Sequence, residues 1–266
     1  MPDPSAELDL LITTARTAGA LALQYYGKAQ DQWQKDDNSP VSEADLAVDA
    51  HLKKTLLSAR PDYGWLSEET EDNPERLTKP RVFVVDPIDG TRAFLKNDPH
   101  WGVSLALVEN GHPIVAAFYN PALEELFIAE KDQGAFLNNT AISPSVQPTI
   151  EGARVLGHEG LYRHPSWPTK WPDELHIENR NSIAYTICLV AAGHFDGTVS
   201  LSGKSDWDLA AADLIMREAG GCLTTHRGAP YLYNTENTRH PNVVAAGPAL
   251  HSELLEKLKE FDRAGR

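Results

Sequence analysis

Carboxylates in settings that could act together recur along the chain: Asp45, Glu68, Glu69, Asp86, Asp89 and Asp208. Two of them sit in the run Val82-Phe83-Val84-Val85-Asp86-Pro87-Ile88-Asp89-Gly90-Thr91-Arg92. This run is an apolar strand that ends in a Pro/Gly turn carrying two acids and then a hydroxyl. Acids gathered at a strand end are costly unless positive charge stands among them, because desolvation and mutual repulsion both oppose ionisation. A pair of divalent cations would supply that charge. Gly90 permits close backbone approach, and the N–H groups that open a following helix suit a phosphate.

Taken singly, each acid has an ordinary explanation. Asp-Pro and Asp-Gly are turn formers. Glu68-Glu69 after Trp65-Leu66-Ser67 can be a solvated strand end, Asp45 the fourth member of a capping box with Ser42, and Asp208 the N-cap of the run Leu209-Ala-Ala-Ala-Asp-Leu-Ile-Met. Their joint meaning depends on whether the fold brings them together.

The elements that must do so can be read from periodicity. Leu8, Leu11, Ile12, Ala15, Leu21 and Tyr25 fall near helical spacing up to Gly27, which predicts a first helix over Leu8 to Tyr26. A second opens at Ser42-Glu-Ala-Asp45 and runs to about Ala59, with Leu46, Leu52 and Leu56 inward and Pro61 just beyond. A short strand at Gly64 to Ser67 precedes the acidic pair. Alternating runs at Val82 to Val85, Val103 to Val108, Ile114 to Tyr119 and Leu126 to Ala129, with turns at Asn110-Gly111 and Asn138-Asn139, predict an antiparallel sheet built largely from hairpins.

The Pro/Ser-rich stretch from Ser143 to Gly152 is the best boundary. It divides an N-terminal α+β half, residues 1–145, which carries the acidic turn, from a C-terminal α/β half, residues 146–266, which carries Asp208. In the second half, strands (Val155 to Gly157, Gly197 to Leu201, Cys222 to Thr225, Val243 to Ala246) alternate with helices (about Ser182 to Ala192, Leu209 to Ala219, Ala249 to Phe261). That alternation predicts a mixed sheet.

At 266 residues with 41% hydrophobic content, the chain can bury a substantial core without staples. The formal net charge of −14 disfavours nucleic-acid polymers and anionic membranes, whose recognition depends on Lys and Arg meeting phosphates. A small phosphorylated ligand stays admissible if metal ions supply the positive charge. Cys188 and Cys222 lie in apolar stretches without metal-ligand spacing, which fits a reduced interior, a disulfide being the other reading. The N-terminal residues have neither a basic segment nor an apolar core, and no apolar run approaches the roughly 18 residues of a membrane span. The expectation is a soluble cytoplasmic protein.

The pattern Ser42-Glu-Ala-Asp45, Glu68-Glu69-Thr70, Asp86-Pro-Ile-Asp89-Gly-Thr91, and Trp207-Asp208 before a small-residue helix resembles the inositol monophosphatase superfamily in order and spacing across nearly the whole chain. That superfamily contains inositol monophosphatases, CysQ-type 3′(2′),5′-bisphosphate nucleotidases and fructose-bisphosphatases, Mg²⁺-dependent and many of them inhibited by Li⁺. The resemblance implies an α/β fold layered as an αβαβα sandwich, and a homodimer. It makes Glu68, Asp86 and the Ile88 carbonyl ligands of one Mg²⁺, and Asp86, Asp89 and Asp208 ligands of a second, with Asp86 bridging. Glu69 would stand behind these ligands, near a weaker third ion. Thr91 and Asp45 would orient and deprotonate the attacking water, and the Gly90 and Thr91 N–H groups would hold phosphate oxygens.

For the rest of the substrate, the resemblance points to Arg92, Ser182 and Lys204. The inositol-cleaving branch usually places a glutamate seven residues before the last metal aspartate, and here that position is Leu201. Asp89-Gly-Thr-Arg-Ala-Phe94 is more similar to the nucleotidase form (Asp-Gly-Thr-Lys-Glu-Phe) than to the inositol form (Asp-Gly-Thr-Thr-Asn-Phe). Ala93 and Asn181 depart from the nucleotidase pattern. The reading is a 3′-phosphoadenosine 5′-phosphate phosphatase, with inositol monophosphatase as the alternative and a non-catalytic scaffold of the same fold further off.

Rival chemistries fit less well. Haloacid-dehalogenase-type phosphatases also end an apolar strand in an Asp-rich Gly-Thr motif, but space their acids i, i+2, whereas Asp86 and Asp89 are i, i+3. Gly203-Lys204-Ser205 hints at a P-loop, yet the required earlier glycine is Thr198. The histidines form no His-x-x-x-His pair.

Overall fold

The computed structural model describes residues 5–28, 31–34 and 40–263. Helix α1 (Ala6–Ala22) starts where the Ser5 hydroxyl accepts the Leu8 N–H, and it buries Leu8, Leu11, Ala15, Ala18 and Ala22 at helical spacing. Strands β1 (Gln32–Gln34) and β2 (Pro40–Ser42) pair antiparallel, and β2 leads into α2 (Glu43–Ala59). The helix α2 turns Ala44, Asp45, Val48, Asp49, Leu52 and Leu56 inward. Leu46, expected inward, is instead 45% exposed. The inward stripe includes two aspartates, so apolar periodicity alone picked the wrong neighbour.

Strand β3 (Gly64–Ser67), a 3₁₀ turn (Pro74–Thr78) and β4 (Arg81–Asp89) follow, then the short helix α3 (Thr91–Leu95). Strands β5 (Gly102–Glu109), β6 (His112–Asn120), β7 (Glu125–Glu130), β8 (Ala135–Leu137) and β9 (Thr140–Ala141) complete a seven-stranded sheet in sequence order. From β4 onward it is an antiparallel meander, as the hairpin signals predict. The exception is β3, which runs parallel to β4. The crossover that permits this holds Glu68, Glu69 and the 3₁₀ turn.

The remaining elements are β10 (Arg154–Leu156), α4 (Glu159–Tyr162), β11 (His176–Glu178), α5 (Ile183–Ala191), β12 (Gly197–Ser200), β13 (Lys204–Ser205), α6 (Asp206–Glu218), β14 (Cys222–Thr224), β15 (Arg239–His240), β16 (Val243–Ala246) and α7 (Pro248–Arg263). They build a five-stranded mixed sheet of order β11-β10-β12-β16-β14 and a separate β13–β15 pair. The sequence signals did not mark β1, β2, β8, β9, β11, β13, β15 or α4, and they gave α3 only as a helix following Gly90. All are short, and most carry polar residues that break a periodic pattern.

The layers follow from which faces are apolar. Phe83, Val85, Leu105 and Ile128 pack against α1 and α2 on one face of the large sheet, while Val84, Ala106, Phe118 and Phe127 pack against α5 and α6 on the other. Strand β4 is therefore buried on both faces, which accounts for its unbroken apolar run. The helices α5 and α6 also meet Leu156, Leu223, Val243 and Ala245 of the small sheet, so the two sheets share one core through them. Leu250, Leu254 and Leu258 of α7 cover the small sheet's outer face together with Trp167 and Trp171. The result is the expected αβαβα sandwich. Cys188 and Cys222 are both free, and no helix among the described residues is long and apolar enough to cross a membrane.

Leu214, 1% exposed in the central helical layer, tests this arrangement. Leu214→Ala should lower stability by about 2–5 kcal/mol through lost burial and a residual cavity. Leu46→Ala should stay within about 0.5 kcal/mol. Urea unfolding of the two variants measures the difference.

Candidate active site

Side chains alternate along a strand, so Asp86 and Asp89, three residues apart, would point to opposite faces of a regular β4. The ladder is irregular there: Asp86 pairs with Ser104 and Asp89 with Gly102, so β4 spends one residue more than β5 between these pairs. That bulge brings both carboxylates to the same side. Gly90 then takes φ 97° as the cap of α3. A Cβ at that position would lie 3.1 Å from the His100 carbonyl oxygen and 3.0 Å from Ser182 Cβ, so the turn demands glycine.

Asp208 arrives from the other half of the chain, in the first turn of α6, where its Oδ2 accepts the Ser205 N–H at 2.5 Å. Carboxylate oxygens of Asp86, Asp89 and Asp208 lie within 4.8 Å of one another. Asp86 Oδ1 accepts the Ile88 N–H at 3.0 Å. Asp89 Oδ2 accepts the Ala184 N–H at 2.8 Å and the Ser182 hydroxyl. Beside them, the Thr91 hydroxyl reaches Asp45 Oδ1 at 3.1 Å and the Ile88 carbonyl at 3.2 Å. The second oxygen of Asp45 accepts the Ser42 N–H and hydroxyl, at 2.8 and 2.6 Å. The capping box expected from sequence is therefore present, and the same carboxyl also faces Thr91.

Glu68 lines the same cleft as Asp86, Ile88, Asp89, Gly90, Thr91, Arg92, Lys204 and Asp208, a space of about 480 Å³. Its N–H donates to the Val85 carbonyl, which ties the loop to β4. Sequence reasoning missed Asp49, whose carboxylate accepts the Ser67 hydroxyl and, at 2.6 Å, the Thr70 hydroxyl, fixing both ends of the Glu68-Glu69 step. Its position one turn after Asp45 on the same helix face was the available signal. The Glu69 N–H turns back on the Ser67 hydroxyl at 3.4 Å.

Ser182 is placed differently from its sequence-based expectation as a substrate contact. It is fully buried, donates to Asp89 and accepts the Tyr185 N–H at 3.1 Å, while its neighbours Asn181 and Ile183 line the cleft. Leu201 packs against the core under the small sheet, so no side chain from that position enters the cleft. Arg239, which sequence reasoning also missed, does line it.

Burial is the main cause of the electrostatics here. It raises Asp89 to about 6 and Asp208 to about 7, with repulsion from neighbouring acids adding to it and hydrogen bonds to Asp89 and Asp208 offsetting part. Asp86 is pushed well above the usual carboxylate range by burial and then by Glu68, Asp89 and Asp208. Burial also lifts Asp45 to about 6. Such a cluster is paid for only when a cation shares it. Its donors are all oxygens, the set that hard divalent ions prefer, so the residues fit a metal site.

Comparison with known proteins gives a consistent result. The model of the inositol monophosphatase family matches residues 3–263. A histidinol-phosphatase of Chlorobaculum parvum is 32% identical over 263 residues, covering 97% of this chain and 98% of the relative. An inositol-1-monophosphatase of Rhizobium meliloti is 33% identical over 234 residues, covering 84% and 87%. The crystal structure of the extragenic suppressor protein suhB from Bartonella henselae superposes with a TM-score of 0.84 at 29% identity, covering 96% of this chain and 99% of that one.

The raised carboxyls set a pH dependence. Between the unfolded value near 3.8 and the folded values of about 6 to about 7, the folded state holds more protons than the unfolded chain. Stability of the metal-free protein contributed by these groups therefore falls as pH rises through that window. Added Mg²⁺ should raise Tm far more at pH 8 than at pH 5. Asp208→Asn should raise the metal-free Tm at pH 8 and shrink the Mg²⁺ effect, which differential scanning calorimetry would read directly.

Proposed function

The chain belongs to the inositol monophosphatase family, and on that premise we propose that it is a Mg²⁺-dependent phosphomonoesterase of small polyol phosphates, inositol 1-phosphate foremost among them. The observation that carries this reading is the convergence of Asp86, Asp89 and Asp208 beside the Thr91–Asp45 hydrogen bond.

Glu68, Asp86, Asp89, Asp208 and the Ile88 carbonyl would hold the metal. When bound, Mg²⁺ supplies charge neutralisation of the ester dianion, acidification of the attacking water and stabilisation of the departing alkoxide. The chain's own work is positional and protonic. Thr91 has one hydroxyl proton; when it donates to Asp45, its lone pairs accept a proton from the incoming water. Asp45, lifted to about 6, is a base matched to neutral pH. The Gly90 and Thr91 N–H groups are assigned to the phosphate oxygens.

The nucleotidase reading from sequence yields to the inositol phosphate reading because the relatives bear the names inositol-1-monophosphatase and histidinol-phosphatase. Histidinol phosphate carries an ammonium. Among the described residues the carboxylates lining the cleft are Glu68, Asp86, Asp89 and Asp208, all assigned to metal, so among them that ammonium would meet no acid of its own.

Phosphate release should be compared among inositol 1-phosphate, histidinol phosphate and 3′-phosphoadenosine 5′-phosphate, with Mg²⁺ and with added Li⁺. The expected result is Mg²⁺-dependent, Li⁺-sensitive turnover that favours the inositol ester. Asp86→Asn should abolish turnover while leaving the protein folded by circular dichroism; near-normal turnover would refute the assignment. Thr91→Ala and Asp45→Asn should each lower kcat by about 10²–10⁴-fold, and the double variant by little more, since the two residues act as one relay.

A further inference from the structure

Asp86, Asp89 and Asp208 sit in β4 and α6, whereas Glu68 lies just past the end of β3, outside regular structure. Its charge opposes ionisation of Asp45, Asp86, Asp89 and Asp208. An untethered Glu68 would therefore swing away from the acids with which it lines the cleft. What holds it is a hydrogen-bond network of fixed polarity.

Both peptide groups that flank the Glu68 Cα are bonded. Its own N–H donates to the Val85 carbonyl at 3.3 Å, and the Glu69 N–H donates to the Ser67 hydroxyl oxygen at 3.4 Å. The Ser67 hydroxyl in turn donates to Asp49 Oδ1. Two residues beyond Glu68, the Thr70 hydroxyl oxygen accepts the Trp65 Nε1–H at 3.2 Å and donates to Asp49 Oδ2 at 2.6 Å. Each hydroxyl has one proton and already accepts an N–H, so both protons end on Asp49 and both of its oxygens must accept. A carboxylate offers two acceptor oxygens; an amide of the same shape offers one.

Asp49 and Ser67 are 8% and 2% exposed, so these bonds are shielded from water and correspondingly directional. Asp49 also follows Asp45 by four residues in α2, about 6 Å along the helix axis. Asp45 meets Thr91 and Asp49 meets the two hydroxyls beside Glu68. One face of α2 thus fixes Glu68 and the Thr91–Asp45 pair relative to each other.

We propose that Asp49 is a positioning residue that sets the Mg²⁺ affinity of the cleft by holding Glu68 through Ser67 and Thr70, and that only a carboxylate at this position does so. The inference rests on the reading of the acid cluster as a Mg²⁺ site and assigns part of that site's strength to a residue outside the cleft lining.

Titration calorimetry of the metal-stripped full chain with Mg²⁺ tests it, alongside the Mg²⁺ dependence of inositol 1-phosphate hydrolysis. Asp49→Asn should weaken Mg²⁺ binding by about 10- to 100-fold, while kcat at saturating Mg²⁺ stays near that of the unaltered protein. Ser67→Ala and Thr70→Val remove no charge, so a weakening in them reads position rather than field; each should reproduce part of the loss. In a Glu68→Gln background, Asp49→Asn should add little, because both act on one ligand. Leu56→Ala, fully buried two turns further along the same helix, should lower Tm and leave Mg²⁺ affinity unchanged. Unaltered affinity in Asp49→Asn, or in both hydroxyl variants, would overturn the proposal. So would an equal loss in Leu56→Ala, or a full further loss in the Glu68→Gln background. Absence of Mg²⁺ binding by the unaltered protein would instead overturn the metal reading and Asp49's role with it.

Discussion

The rest of the molecule is arranged around one unfavourable interaction, the repulsion among carboxylates gathered at the end of β4. Three acids with oxygens inside 4.8 Å of one another, two of them almost wholly buried, would scatter on an unconstrained chain. The bulge between Asp86 and Asp89 aims both to one side. The first turns of α5 and α6 then meet them there. Asp89 takes the Ala184 N–H at the start of α5, and Asp208 is fixed by its own helix start. Helix N-termini are where carboxylates are best tolerated, since unpaired N–H groups point outward. The central helical layer therefore serves both as core and as electrostatic support.

That support is partial, which is the source of its use. Hydrogen bonds lower Asp89 and Asp208, yet burial still leaves both well above ordinary carboxylates. A site fully satisfied by protein donors would have no need of an added cation. The layered core of apolar strands and small-residue helices carries the stability that the cluster withholds, a division common where function needs strain.

Much of this was legible in the sequence because motif residues sit on long, strongly patterned elements. The run ending in Asp86-Pro-Ile-Asp89-Gly-Thr91 announces a buried strand and its turn, and α6 and β16 follow their periodicity closely. What stayed hidden depends on contacts between distant segments. Asp49 reads as one more helix-face acid until Ser67 and Thr70 are seen to bond it. Ser182 reads as a free hydroxyl before a helix, and only the fold shows it spent on Asp89. Leu46 reads as core because leucine usually is, whereas the inward stripe of α2 is shared with Asp45 and Asp49. Strands as short as β13 and β15 carry no periodic signal at all, yet they bring Arg239 to the cleft.

The two kinds of charge in the cleft come from differently built parts of the fold. The acids sit at the ends of β4 and α6, elements anchored through the whole thickness of the sandwich, and their geometry tolerates little change. Two of the cleft's cations, Lys204 and Arg239, sit on a two-stranded pair outside both main sheets, held by polar contacts of Asp206, His240, Asn234 and Arg76 as well as by the Tyr231 and Tyr233 rings against His240. Polar anchoring of this sort is directional and residue-specific. A loop so anchored can present a different side chain at Lys204 or Arg239 without disturbing the layers beneath. The acids are thus fixed by the core, and Lys204 and Arg239 by a strap laid across its edge.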